Sequence, residues 1–185
     1  MIIEKIDAMK QSKIKQWPVN SNRASEAGWE CERYLVHNRL NWRDKQLHDV
    51  GLQYIFEEGE RQEEATIDDL RSAGIRIIEG QRPFEDKSLQ LTGHIDFKVS
   101  INGKNYPVEV KGMSPYIWDS INDFQDVTKH KNHYIRRYAS QITLYLYLSN
   151  EEEGILLLRN KLTGRYKEIL VNLDWDLADS LVKKT

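Results

Sequence analysis

Two acidic residues stand at a spacing that could support chemistry on a phosphate group. Asp96 and Glu109 flank Asn102-Gly103, a dipeptide typical of a two-residue β-hairpin turn. Counted outward from that turn, both lie six positions away (102 − 96 and 109 − 103), so paired strands place them nearly opposite each other. Their like charges repel unless a cation lies between them, and Mg2+ and Mn2+ prefer such oxygen ligands. The pair therefore predicts a divalent metal site.

Lys111 follows Glu109 by two residues, so both side chains point to the same side of the predicted strand. A lysine beside metal-binding carboxylates can orient a water molecule and stabilise negative charge on a phosphate. A surface cluster of opposite charges is the alternative explanation, and the short Glu-x-Lys pattern taken alone favours that alternative. The functional interpretation therefore depends on residues from other elements.

Glu63 falls on the predicted inward face of a helix. That face has residues three and four positions apart, namely Phe56, Gly59, Glu63, Ile67 and Leu70. A carboxylate among core residues is costly unless it is paired or binds a metal. Pairing with a buried arginine is one explanation for Glu63, and metal binding is the other.

Gln141 and Tyr145 lie one turn apart on the apolar stripe of a predicted helix over residues 131–149, so they project together. The structural explanation is a buried glutamine that caps a strand. The functional explanation is that both side chains bind a phosphate or the lysine of the site.

The elements that must position these residues follow from hydrophobic periodicity and from turn signals. Helical patterns cover residues 1–16, 25–40, 47–56, 56–74 and 131–149, and strand patterns cover 75–80, 91–100, 105–112, 154–160 and 165–171. Residues 112–124 are predicted to form a loop. This order of helices, a mostly antiparallel sheet, a helix and two further strands predicts an α/β or α+β fold.

Length and composition limit the classes of protein. The 185 residues suit one domain, and the net charge of −2 is lower than a generic DNA-coating protein needs. The single cysteine, Cys31, excludes an internal disulfide and an iron–sulfur site that needs several thiolates from this chain, and we expect Cys31 to be packed. Without a membrane-spanning run or a signal-peptide core, the expected location is the cytoplasm.

Several short motifs, in order along the chain, resemble the PD-(D/E)xK nuclease superfamily and its RecB-type branch, which includes the CRISPR-associated adaptation nucleases. They are Cys31-Glu32-Arg33, Gly59-Glu60-Arg61-Gln62-Glu63-Glu64, Gly93-His94-Ile95-Asp96, Glu109-Val110-Lys111 and Gln141-Ile142-Thr143-Leu144-Tyr145. Glu63 stands where that branch has a histidine. The resemblance covers roughly residues 21–172. It implies a restriction-endonuclease-like core, with a central mixed β-sheet flanked by helices and an N-terminal helical region.

The resemblance also implies roles for individual residues. Asp96, Glu109 and the main-chain carbonyl of Val110 would bind one or two divalent ions, Mg2+ or Mn2+, and Glu63 would supply a further ligand. Lys111 would position the attacking water. Gln141 and Tyr145 would brace Lys111 or the scissile phosphate. No iron–sulfur cluster is expected, because the cysteines that hold one in some relatives are missing.

DNA is the expected partner, bound near this site. Tyr116 and Trp118 follow Lys111 in the predicted loop and could stack on unpaired bases. Arg33 lies in the N-terminal helical region, which in relatives covers the site and channels single-stranded DNA. The resemblance implies that Arg136 and Arg137 would contact phosphates, and a solvated helix face is the alternative for this basic run.

These observations predict a metal-dependent deoxyribonuclease, with exonuclease action on single strands or DNA ends implied by the branch. One domain spans residues 1–185, with an N-terminal helical region (1–56), a nuclease core (57–172) and a C-terminal helix or tail (173–185). A non-catalytic nucleic-acid-binding or assembly module on the same fold is one alternative. A metal-dependent enzyme that acts on another phosphoester is the other.

Overall fold

The helices and strands are taken from a computed structural model that describes residues 1–184. The helices are α1 (Ile2–Lys13), α2 (Ala24–Ala27), α3 (Glu32–Leu40), α4 (Val50–Ser72), α5 (Pro115–Ser120), α6 (Phe124–Thr128), α7 (His133–Ser149) and α8 (Trp175–Val182). The strands are β1 (Asn22–Arg23), β2 (Arg76–Glu79), β3 (Arg82–Asp86), β4 (Leu91–Ile95), β5 (Phe97–Ile101), β6 (Lys104–Met113), β7 (Glu153–Asn160) and β8 (Tyr166–Asn172).

Within residues 1–184 the strands form a larger and a smaller mixed sheet. The larger sheet has the order β2-β5-β6-β7-β8, in which β6 and β7 are parallel and the other neighbours are antiparallel. The smaller sheet has the order β1-β4-β3. Parallel neighbours need a crossover, and α5, α6 and α7 provide it between β6 and β7. The predicted restriction-endonuclease-like core of a mixed sheet flanked by helices is confirmed.

Helices cover both faces of the larger sheet. On one face, Leu156 and Leu158 of β7 pack with Ile142 of α7. On the other face, Val108 of β6 packs in a cluster that includes Ile67 of α4. Because successive strand residues alternate between faces, the residues between the buried valines of β6 point toward α7.

The first hairpin has the predicted turn and register. Asn102 and Gly103 both have positive φ, 51° and 81°, as a type I′ turn requires. Phe97 pairs with Val108, so Asp96 and Glu109 take the next facing positions. The prediction of one strand over 91–100 is wrong, because the chain bends at Asp96 and leaves the smaller sheet for the larger one. The bend follows from packing, since the residues on either side are buried in different clusters.

The predicted helix over 25–40 is broken between α2 and α3. Gly28 lies so close to α7 that an added Cβ would come within 2.9 Å of Ser140. Trp29 then packs against Tyr34, with the ring planes tilted and the ring centroids 4.9 Å apart. This packing outweighs the helical preference of the segment. Cys31, two residues after Trp29, is exposed, so the expectation that it is packed is wrong.

The two helices predicted for 47–56 and 56–74 form one continuous helix, α4, whose N-cap Asp49 accepts a hydrogen bond from the Leu52 amide at 2.8 Å. The predicted boundary at residue 56 lies inside it. The predicted inward face is also partly wrong, because Phe56 and Gly59 are exposed. Instead, Glu57 is buried, and it forms an ion pair with Lys10 of α1 at 2.5 Å. A contact between distant parts of the sequence therefore sets which face of α4 is covered.

The segment predicted as a loop over 112–124 contains helices. Pro115 occupies the first turn of α5, where its missing N–H costs nothing. Asp123 caps α6 by accepting a hydrogen bond from the Asp126 amide at 3.0 Å. At the C-terminus, the predicted helix or tail is the helix α8. Along residues 1–184, none of the helices is both long and apolar enough to cross a membrane.

Candidate active site

Glu109 lies in the centre of the larger sheet and is almost fully buried, with 2% of its surface exposed. One of its oxygens, Oε1, accepts a hydrogen bond from Lys111 Nζ at 2.5 Å. Lys111 also lies over the ring of Tyr138, 5.2 Å from its centroid. Two strand positions on the same side of β6 therefore form an ion pair that faces α7, in which Glu109 is buried and Lys111 is partly buried.

Gln141 holds the same oxygen of Glu109 from α7. Its Nε2 donates to Glu109 Oε1 at 2.7 Å and to the hydroxyl of Tyr145 at 2.9 Å. The two α7 residues thus project together, as their spacing predicts, and the glutamine binds the carboxylate rather than Lys111. Within residues 1–184, the second oxygen of Glu109, Oε2, is buried and has no hydrogen-bond partner.

Asp96 occupies the bend between β4 and β5, beside Glu109. Its Oδ2 accepts a hydrogen bond from the Val110 amide at 2.8 Å, which fixes the carboxyl against β6. Burial and the negative charge of Glu109 raise the pKa of Asp96 from 3.8 to about 7, although Lys111 and the Val110 amide act in the opposite direction. The charged form of Asp96 therefore lacks sufficient compensation from the protein alone.

Glu63 approaches the same group from α4. Its Oε1 accepts a hydrogen bond from Gln81 Nε2 at 3.1 Å. Burial, followed by the charge of Asp96, raises the pKa of Glu63, and Lys111 partly offsets this. Burial also raises the pKa of Glu109, and the negative charge of Glu63 adds to this increase. Three carboxyl groups from a helix, a bend and a strand thus influence one another around one ammonium group.

The donor set fits a hard divalent cation. In residues 1–184, no three His, Cys, Asp or Glu side chains converge closely enough to hold an ion by themselves. The site nevertheless offers the unpartnered Oε2 of Glu109, the carboxyl of Asp96 and, more distantly, Glu63. Oxygen ligands of this kind suit Mg2+ or Mn2+, and the remaining coordination positions of such ions are commonly filled by water or main-chain carbonyls.

The aromatic residues considered for DNA stacking differ in their surroundings. Tyr116 is exposed on α5, and its hydroxyl accepts a hydrogen bond from Lys131 Nζ at 3.2 Å. Trp118 is partly buried against the core below α7. Its indole N–H points to the Leu158 carbonyl at 3.4 Å, and Lys167 Nζ lies 4.2 Å from its ring centroid. Tyr116 therefore has the more accessible ring.

The three arginines considered for phosphate binding lie on two helices, Arg33 on α3 and the other two on α7. Arg33 is exposed on α3. Arg136 is paired with Glu30 at 2.5 Å and also donates to the His130 carbonyl at 2.7 Å. Arg137 donates to the Ser25 carbonyl at 2.6 Å, with its guanidinium 4.5 Å from the Trp29 ring centroid. Arg136 and Arg137 therefore already tie α7 to the segment that contains α2.

Sequence reasoning missed residues that support the site. Arg159 of β7 donates to Gln62 Oε1 at 2.5 Å, and Gln62 is the immediate neighbour of Glu63. Gly93 of β4 lies against Tyr145, where an added Cβ would come within 2.5 Å of the ring atom Cε1. The Gly-His-Ile-Asp motif contains Gly93, so its presence was a usable signal. Nothing in the local sequence around Gln62 indicates its distant partner.

Comparison with solved structures agrees with this architecture. An alkaline exonuclease, LHK-Exo from Laribacter hongkongensis, has a TM-score of 0.57 and 12% identity, covering 98% of this chain and 88% of that one. Its complex with dAMP matches at 15% identity with the same TM-score. A phage-related exonuclease from Haemophilus somnus 129PT has a TM-score of 0.52 and 12% identity, covering 95% and 92%. The protein SSO0001 has a TM-score of 0.54 and 18% identity, covering 100% and 83%.

No protein-family model matches the chain, and no curated protein sequence matches it. Identities of 12–18% to the solved structures show a shared fold and no more. The fold is restriction-endonuclease-like, and the chain shares it with the solved structures of an alkaline exonuclease and a phage-related exonuclease.

Proposed function

We propose that this chain is a divalent-metal-dependent deoxyribonuclease, acting as an exonuclease on single strands or DNA ends. The observation that carries the proposal is Glu109. One of its oxygens is held by Lys111 and Gln141, whereas the other is buried without a partner in residues 1–184. The negative charge of Glu109 also raises the pKa of Asp96. A buried, incompletely paired carboxylate is costly, and such groups are typical of functional sites.

Asp96 and Glu109 would hold Mg2+ or Mn2+ together with the main-chain carbonyl of Val110, and Glu63 would contribute directly or through water. When bound, such an ion supplies Lewis acidity at the phosphate and makes a water molecule a better nucleophile. Residues of the chain must then orient both reactants.

Lys111 is suited to orient the water and to stabilise charge on the phosphate. Burial disfavours its ammonium form, but Glu109 and Asp96 outweigh burial and raise its pKa. Lys111 is therefore a hydrogen-bond donor rather than a general base near neutral pH. Gln141 fixes the carboxylate that holds Lys111, and Tyr145 accepts a hydrogen bond from Gln141, so both support Lys111 indirectly.

The exonuclease assignment is supported by resemblance. The motifs are similar to the RecB-type branch, and the solved structures of similar fold include an alkaline exonuclease, its complex with dAMP and a phage-related exonuclease. DNA is therefore the substrate we infer.

A cleavage assay on end-labelled linear and circular DNA, each single- and double-stranded, tests the proposal. We expect linear substrate to be degraded with Mg2+ or Mn2+ and to stay intact with EDTA. Asp96→Ala and Lys111→Ala should be inactive, whereas Asp119→Ala, at an exposed position on α5, should match the wild type. If no DNA is cut but DNA still binds, the chain is a non-catalytic module. If small phosphoesters are hydrolysed instead, the substrate class is wrong.

A further inference from the structure

Gln81 contacts the candidate active site, and the proposed function assigns it no role. Its side-chain amide donates a hydrogen bond from Nε2 to Glu63 Oε1 at 3.1 Å. Gln81 lies between β2 and β3, where the chain leaves the larger sheet for the smaller one. The residue therefore links this connection between the sheets to the helix α4, which carries Glu63.

The pairing of β3 with β4 brings the connection next to Asp96. Arg82 pairs with Ile95, and Pro83 pairs with His94, in an antiparallel register. Gln81 and Asp96 take the next positions of that register, just outside the two strands. Asp96 itself occupies the other crossing between the sheets, from β4 to β5. The two crossings of the chain therefore meet beside the carboxylates.

A cleft of about 690 Å3 opens at this place. Glu63, Gln81 and Asp96 line it, together with β2 and the segment between α4 and β2. Two of the carboxyl groups that we assign to metal binding therefore border the same space as the amide of Gln81. The cleft is part of the candidate active site rather than a separate pocket.

The main chain of α4 is fixed beside Glu63, whereas the Glu63 side chain needs a further contact. Gln62 is 7% exposed and accepts a hydrogen bond from Arg159 at 2.5 Å, which holds the helix against β7. Glu63 is half-buried, and its long side chain can adopt several rotamers. The bond from Gln81 restricts this freedom, and in the described part of the chain it leaves Glu63 Oε2 for an ion or for water.

The charges around Glu63 favour the same role for Gln81. Burial, followed by the charge of Asp96, raises the pKa of Glu63, and the bond from Gln81 is the largest influence in the opposite direction. An amide is a neutral donor, so it supports the charged carboxylate without repelling a metal ion. A lysine or arginine at this position would compete with the ion.

We propose that Gln81 is a positioning residue, which acts through Glu63 and orients the Glu63 carboxylate toward a divalent ion. Side chains that hydrogen-bond to metal ligands commonly fix the orientation of those ligands. The inference rests on the proposed function, because that function places the ion at Asp96 and Glu109. Gln81 itself need not touch the ion or the DNA.

Calorimetric titration of Mn2+ in the absence of DNA tests this role separately from cleavage. Gln81→Met keeps the length of the side chain but removes the amide donor. It should weaken Mn2+ binding by about 10- to 100-fold, the usual effect of losing a hydrogen-bond partner of a metal ligand. Gln125→Met is the matched control, because Gln125 is exposed on α6, outside the cleft. Equal affinities of the two variants would overturn the proposal.

A double-mutant cycle tests whether Gln81 acts through Glu63. With Glu63→Ala already present, Asp96 and Glu109 remain, and Gln81→Met should cause no further loss of Mn2+ affinity. An equal loss in both backgrounds would overturn the positioning role. Urea denaturation of Gln81→Met in EDTA should give the midpoint of the wild type, since Gln81 is exposed. A lower midpoint with unchanged Mn2+ affinity would make the bond structural only.

The role of Gln81 and the nuclease function can fail separately. If Mn2+ affinity depends on Gln81 as expected but no DNA is cut, the nuclease proposal fails and the role of Gln81 stands. If the wild type binds Mn2+ and cuts DNA while Gln81→Met matches Gln125→Met, only the role of Gln81 fails. If the wild type binds no Mn2+, both are overturned.

Discussion

Replacing Asp96 with asparagine should stabilise the metal-free protein. Burial and the neighbouring Glu109 raise the pKa of Asp96 from 3.8 to about 7 in the folded state. Because the folded pKa lies above the unfolded one, the free energy of unfolding falls as pH rises between these values. The penalty is absent below 3.8 and fully present above about 7. Asparagine carries no charge and can still accept the hydrogen bond from the Val110 amide.

The size of the effect follows from that difference in pKa. The interval from 3.8 to about 7, at about 1.4 kcal/mol per pKa unit, gives about 4 kcal/mol as an upper limit at pH 8. Asp96 is partly exposed, so screening by water reduces this, and we expect Asp96→Asn to gain about 2–4 kcal/mol. At pH 5 most of the carboxyl is protonated in the folded state, and the gain should fall to about 2 kcal/mol or less.

Urea denaturation in EDTA at pH 8 and pH 5 measures both values. Asp119→Asn is the matched control, because Asp119 is exposed on α5, and its stability should follow the wild type at both pH values. The same Asp96→Asn protein should be inactive on DNA. The reasoning is refuted if Asp96→Asn destabilises the protein at pH 8, or if its gain does not shrink at pH 5.

Three further predictions follow. Lys111→Gln should lower single-turnover cleavage by about 100- to 1,000-fold, as expected for loss of a donor to a developing charge; near-normal rates would contradict that role. Gly93→Ala should cost about 1–3 kcal/mol in urea denaturation, because its Cβ would lie 2.5 Å from Tyr145 Cε1, and Tyr145→Leu should relieve part of that cost. Calorimetric titration of Mn2+ at pH 7 in buffers of different ionisation enthalpy should detect proton release, because the pKa of Asp96 is about 7. Asp96→Asn should abolish that release, and equal heats in all buffers for the wild type would argue against it.

The geometry around the first hairpin could be predicted from the sequence because local rules determine it. The Asn102-Gly103 turn sets the register, which puts Asp96 across from Glu109. Strand alternation then places Lys111 beside Glu109, where the two side chains form an ion pair. The one-turn spacing of α7 residues similarly predicts that Gln141 and Tyr145 meet.

Features that depend on distant contacts could not be predicted. The hydrophobic pattern continues through Ile95 and Phe97, so nothing local indicates that the chain changes sheets between them. The buried face of α4 is shifted because Lys10 of α1 pairs with Glu57. Short helices such as α5 could not be predicted, because so few residues give no clear helical periodicity of apolar positions.

Anomalous diffraction from crystals soaked in Mn2+ tests the central claim most directly. We expect an anomalous peak within bonding distance of carboxylate oxygens of Asp96 and Glu109, including the Oε2 of Glu109 that has no hydrogen-bond partner in residues 1–184, and the loss of that peak in Asp96→Ala. A fully occupied Mn2+ elsewhere, with none between these two carboxylates at saturating concentration, would contradict it.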